Sequence, residues 1–86
     1  MRKHDALVAL VNGINDVCGY SYGTEEIDPS RPITDFGVDS LNVMQVLAAV
    51  EAHLDIRVDQ GRLTERDFVS VGTLADYLVR CAEDGQ

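Results

Sequence analysis

Tryptophan is absent from this 86-residue chain, and cysteine, proline, methionine and histidine occur only twice each. Cys18 and Cys81 stand far apart and outside any CxxC spacing, which excludes a disulfide framework; they read as buried free thiols of a cytosolic protein. Positive charge is scarce too: seven Lys and Arg face fifteen Asp and Glu, a net charge of −8. Such a field repels a nucleic-acid backbone, whose recognition draws on Lys and Arg. No apolar run approaches the ~20 residues of a membrane span, and no secretory leader is read at the N-terminus. A cytoplasmic protein with no nucleic-acid partner and no membrane partner is therefore expected. Length sets a further limit. A chain this short buries only a little over ~60% of its unfolded surface. It can build one modest core, with little left to wall in a substrate cleft of ~300 Å³ or more. An enzyme is not expected.

What is present is an ordinary globular composition, 45% hydrophobic and 26% charged, with helical periodicity and no strand alternation. Leu7, Leu10, Val11, Ile14, Val17 and Cys18 recur at three- and four-residue steps. They predict an amphipathic helix over about residues 4–18, stopped by Gly19. A second helix is predicted from Asp39–Ser40 to about Asp55. Thr64-Glu65-Arg66-Asp67 predicts a short helix whose acid reaches back to its cap. A last helix opens near Ser70, with Val71, Leu74, Tyr77, Leu78 and Cys81 on one side, and residues 83–86 read as a frayed polar tail. The expected fold class is all-α: one domain over 1–86, structured over about 4–82. Its three main helices plus one short helix make a small four-helix bundle.

Residues 20–39, between the first two helices, form a connection of a length that is uncommon without structure. Pro29 and Pro32 stiffen it, and Ile27, Ile33, Phe36 and Val38 can pin it to the helices, so this long loop is expected to be ordered. Residues 16–39 also hold six acids against the single base Arg31. That block is either a solvated acidic loop or a steering field for basic partners. Residues 57–67, by contrast, balance Arg57, Arg62 and Arg66 against Asp59, Glu65 and Asp67.

On a helical wheel the second helix gathers Val43, Val46, Leu47, Val50 and Leu54 into a sufficient core stripe. Leu41, Met44 and Ala48 lie on a different side with Ala52 close by, flanked by Asn42, Gln45, Glu51 and Asp55. A helix apolar on two sides is either buried on both or offers one to a partner; in so small a bundle the partner reading is preferred, and Met44 suits adaptable packing. Ser40 begins this helix beside that patch. Taken alone, Asp39 or Ser40 is an N-cap, and Ser40→Ala would then cost about 1 kcal/mol. The surrounding run, Asp35-Phe36-Gly37-Val38-Asp39-Ser40-Leu41, adds a glycine that permits close backbone approach. It also sets Ser40 at a helix N-terminus, where free amides and the dipole favour a phosphate.

Catalytic readings fail on distance and spacing. A hydrolytic serine needs a base within hydrogen-bond reach. The only histidines are His4 and His53, both read as surface residues, and His53 lies roughly 20 Å further along the same helix axis. GxSxG is absent. Asp35-Phe36-Gly37 matches the kinase triplet by chance, in a chain without room for the other kinase parts. The acidic loop lacks calcium-loop spacing, and no cluster has zinc-ligand spacing. No catalytic residue and no metal are expected.

Gly37-Val38-Asp39-Ser40-Leu41, opening an amphipathic helix about half-way along an acidic helical chain, resembles the acyl carrier and peptidyl carrier protein family. The similarity runs from the first helix through Val71 and Tyr77. The resemblance implies that Ser40, flanked by the motif residue Asp39, receives covalent 4′-phosphopantetheine from coenzyme A through a separate phosphopantetheinyl transferase. It implies an arm whose thiol holds acyl, aryl or aminoacyl groups as thioesters. A ligase or acyltransferase loads that arm, downstream biosynthetic enzymes unload it, and the chain itself, expected to be a monomer, does no chemistry. The positions matching the family's partner-facing helix are Leu41, Met44, Gln45, Ala48, Glu51 and Ala52.

The chain departs from bacterial fatty-acid carriers in having Gln45 and Ala52 where those tend to be acidic, which weakens attraction to basic enzyme patches. That departure points to a dedicated carrier in a pathway of polyketide or nonribosomal peptide type. Asp67-Phe68-Val69-Ser70 also resembles stand-alone carriers loaded with amino or aryl acids. The alternative is an unmodified helical interaction module of the same fold, with Ser40 an ordinary cap.

Overall fold

The apolar spacing of the first segment closes into α1, Lys3–Cys18, which buries Ala6, Ala9, Leu10, Val11, Gly13 and Ile14 along one stripe. Gly19 ends it in the left-handed region at φ 76°, with its N–H on the Asn15 carbonyl. This computed structural model describes residues 1–84. Two further α-helices follow, α2 at Val43–Leu54 and α3 at Val71–Asp84. Among the described residues there is no strand, so the fold is all-α and matches the expected small helical architecture.

The 20–39 connection is ordered by the residues expected to pin it. Ile27, Ile33, Phe36 and Val38 are all buried in the core that the helices share. Asn15 of α1 grips its start, donating to the Tyr22 carbonyl and accepting from the Tyr22 amide at 2.9 Å each. Short 3₁₀ turns at Thr24–Glu26 and Ile33–Phe36 use up most of the slack. Between them, the carbonyls of Pro29 and Arg31 accept from Gly72 and Val71 at 2.8 and 2.9 Å. The loop thereby satisfies the first, otherwise orphaned, amides of α3. Ser70 and Thr73 add a reciprocal cap, the Thr73 amide donating to Ser70 Oγ at 3.1 Å and the Ser70 amide to Thr73 Oγ1 at 3.0 Å.

Four details depart from the sequence reading. Regular α2 begins at Val43, because residues 40–42 are held in a turn. The short fourth helix is a single 3₁₀ turn, Glu65–Phe68, so the described residues form three α-helices rather than four; its expected cap is present, with the Thr64 amide on Asp67 Oδ2 at 2.9 Å. α3 continues through Glu83 and Asp84, where a frayed tail was expected, while Gly85 and Gln86 lie outside the described residues. Cys18 and Cys81 are free but half-buried, rather than buried.

α1 packs on α2 at close range: a Cβ at Gly13 would stand 3.1 Å from the Val46 carbonyl oxygen. From α3, Leu74 and Leu78 enter the core fully, and buried Tyr77 donates its hydroxyl to the Asp59 carbonyl, anchoring the α2–α3 connection. Burial, and then the neighbouring Cys81 thiol, push the Tyr77 phenol up to about 12 from its ordinary 10.0. The folded chain thus holds this proton more tightly than the unfolded chain. The contribution is intact below pH 10.0 and is lost as pH rises through about 12. Tyr77→Phe is expected to be about 1 kcal/mol less stable at neutral pH, for want of the hydrogen bond. It should also lose less stability than wild type over that alkaline window, as urea unfolding at both ends of it would measure.

Candidate functional site

The turn between Gly37 and α2 is built by backbone economy. Gly37 closes the Ile33–Phe36 turn at φ 85°, donating to the Thr34 carbonyl at 3.2 Å. Val38 then drops into the core with 1% exposure. Asp39 is the working cap of the next helix. Its Oδ1 accepts from the Leu41 and Asn42 amides at 2.9 and 3.1 Å, and its carbonyl accepts from Val43 at 3.0 Å. Asn42 answers by accepting the Asp39 amide on Oδ1 at 2.7 Å, a reciprocal box closed around Ser40.

Ser40 is exposed, and its hydroxyl makes no hydrogen bond among the described residues. It is not the cap. Nor is the helix end as open to an anion as its position suggested, since two of its first amides are spent on the Asp39 carboxylate. What the turn gives Ser40 is an outward-facing hydroxyl on a rigid mount. Beside it lies a cleft of about 280 Å³ lined by Ile33, Thr34, Val38, Asp39, Val43 and Phe68 along with Ser40 itself. The lining is mostly apolar, and its far wall, Phe68, comes from the connection before α3.

The second-helix face is displayed as its spacing requires. Leu41 is 86% and Met44 40% exposed, and Gln45, Ala48 and Ala52 are exposed with them. Glu51 differs: it is half-buried, and its carboxylate accepts the Val58 amide at 2.9 Å, tying α2 to the following connection. Val69, next to Phe68, is 63% exposed.

The end of α1 holds the serine turn in ways that no motif announced. Cys18 Sγ lies 3.6 Å from Asn42 Nδ2, as acceptor, and 3.9 Å from the Gly37 carbonyl, as donor. Tyr20 covers Gly37 so closely that a Cβ there would meet its hydroxyl at 2.6 Å, and Tyr22 sets its ring edge-on to Phe36 at 5.9 Å. In the acidic loop, the Asp35 carboxylate at 2.7 Å raises the Arg31 guanidinium above its ordinary value. His4 and His53 are exposed; His53 Nε2 sits 3.2 Å from Asp16 Oδ2, bridging α2 to α1 rather than facing Ser40. Among the described residues no group of three His, Cys, Asp or Glu side chains could hold a metal ion, and no helix is long and apolar enough to cross a membrane.

Residues 8–78 match the family model described as the phosphopantetheine attachment site. The chain is 29% identical over 79 residues to an acyl carrier protein of Acidothermus cellulolyticus, covering 91% of this chain and 89% of that one. It is 28% identical over 68 residues to aminoacyl carrier protein 1 of Bradyrhizobium diazoefficiens, covering 79% and 72% of the two. A third similarity, 30% over 79 residues, is to the mellein synthase of Phaeosphaeria nodorum, where it takes in 92% of this chain but only 4% of that protein.

Proposed function

The chain belongs to the phosphopantetheine-attachment family of carrier proteins, and from that premise we propose that Ser40 takes the group and that the face around Leu41 and Met44 receives the biosynthetic enzymes that load or unload it. The family carries rather than catalyses. Its cofactor is phosphopantetheine, and its partners are phosphopantetheinyl transferases and biosynthetic enzymes.

The observation that carries the Ser40 assignment is a hydroxyl that is exposed, unbonded and mounted on a turn whose own hydrogen bonds are complete without it. That arrangement fits the group: a transferase can reach the oxygen, and replacing its hydrogen breaks no internal bond. When bound, the group supplies a mobile terminal thiol. The residues of this chain only present it, with Asp39 and Asn42 fixing the turn and the adjoining cleft offering an apolar surface. Incubation with coenzyme A and a broad-specificity transferase, read by intact-protein mass, is expected to add one phosphopantetheine. An unmodified chain that stays unmodified would favour an interaction module of the same fold.

For the pathway we infer a dedicated carrier of polyketide or nonribosomal peptide type. Two things support this: an uncharged, largely apolar docking face at Leu41, Met44, Ala48 and Ala52 with the neutral Gln45 among them, and the similarity to a mellein synthase and an aminoacyl carrier protein. An apolar contact is broken by a charge that must be desolvated. Met44→Glu is therefore expected to be modified normally and delivered about tenfold or more poorly to at least one partner enzyme. Equal turnover with every partner would remove the docking assignment.

A further inference from the structure

Four of the seven cationic side chains, Arg57, Arg62, Arg66 and Arg80, fall within the α2–α3 connection and α3. They border two adjoining clefts of about 440 and 390 Å³ that share Arg62, Tyr77 and Arg80, with Arg66 on the first and Arg57 on the second. In sequence these bases look balanced by neighbouring acids. In the folded chain most of those acids are already engaged. Asp67 is buried, accepts from the Thr64 amide and hydroxyl, and pairs with Arg80 at 3.1 Å. Asp59 caps the Gly61 amide at 3.1 Å, and Asp76 pairs with Lys3 at 3.2 Å. Arg57 and Arg66 are exposed and make no ion pair among the described residues. Arg80 is held between the clefts by Asp67 and by its position 5.8 Å from the Tyr77 ring centroid. The carboxylates lining the clefts are Asp59, Asp67 and Asp76, and no acid of the 16–39 block lines either one.

We propose that this arginine-bordered double cleft is a docking surface for an acidic polypeptide segment of a partner protein. Guanidinium forks match carboxylates two bonds at a time, and arginines spread along two joined clefts suit an extended chain with spaced Asp or Glu better than one compact anion. The net charge of −8 argues against nucleic acid and against a second copy of this chain, which would meet the same repulsion. The surface uses neither Ser40 nor the Leu41–Met44 patch, so it stands whether or not the serine is modified.

The test uses the full unmodified chain and a fluorescein-labelled polyglutamate peptide, with anisotropy followed from about 20 mM salt upward. Saturable binding that weakens with salt is expected. Arg57→Glu/Arg66→Glu should weaken it about tenfold or more, and Arg57→Gln/Arg66→Gln should do so to a lesser degree. Arg2→Glu/Arg31→Glu, which changes net charge equally elsewhere, should leave it within about twofold. Circular dichroism would confirm that each variant remains helical. Absence of binding, or equal loss in the two Glu pairs, would overturn the proposal. So would displacement of the peptide by stoichiometric inorganic pyrophosphate, which would mark a small-anion site instead.

Discussion

Ser40→Ala is expected to gain no mass on incubation with coenzyme A and a transferase, while unfolding within about 0.5 kcal/mol of wild type. Both halves come from the same geometry. Asp39, not Ser40, accepts the Leu41 and Asn42 amides, so the cost of about 1 kcal/mol expected for a lost cap does not apply. Other hydroxyls compete poorly for the role. Ser70 is buried and caps α3, and Ser30 donates to Asp28 at 2.7 Å. Thr73 donates to the carbonyls of Asp67 and Ser70. Ser21 is exposed but lies in the 20–39 connection, away from any helix start. Intact mass and thermal unfolding on one preparation separate the outcomes. A mutant that still gains the group would place attachment elsewhere, and a mutant that unfolds would give Ser40 a structural role.

The sequence was most readable where one residue decides the local outcome. Gly19 ends α1, Thr64 and Asp67 close their turn, and the four apolar residues of the long connection reach the core because the helices leave them nowhere else to be buried. The start of α2 was harder. Asp39, Ser40 and Asn42 are three cap-competent side chains in a row of four, and local chemistry does not rank them. The outcome is tied to a contact from outside the segment, the Cys18 thiol accepting from the Asn42 side-chain amide at 3.6 Å. The same holds for Glu51, whose wheel position belongs to the docking face but whose carboxylate is drawn inward by the Val58 amide. Phe68 completes the cleft beside Ser40 from a segment 28 positions further along the chain, and no periodicity within α2 could point to it. The arginine face was masked for a related reason. Counting charges along 57–67 gives balance, and only folding shows that Asp67 turns away to pair with Arg80 from α3 while Arg57 and Arg66 stay exposed.

Gly37→Val is expected to cost about 2 kcal/mol and to lower the melting temperature by roughly 8–16 °C, with slow phosphopantetheine uptake by the chains that stay folded. Two penalties meet at this residue, and they can be told apart. Its φ of 85° is disfavoured for any L-residue and most for a β-branched one. A Cβ would also press on the Tyr20 ring, with Cε2 at 2.7 Å and Oη at 2.6 Å. The second penalty is the cheaper to escape, because Tyr20 is 45% exposed and its ring end can swing into solvent. The backbone has no such exit. Relaxing Gly37 would either pull Val38 out of the core or tilt Asp39 away from the amides it caps, and both movements displace Ser40. A double-mutant cycle with Tyr20→Ala therefore should show little coupling, under about 0.5 kcal/mol, and little recovery of uptake. Strong rescue by Tyr20→Ala would make the aromatic cover, rather than backbone strain, the constraint that sets the serine turn. A Gly37→Val chain as stable and as readily modified as wild type would mean that the turn can reach the same serine position by another backbone path, and that glycine is dispensable there.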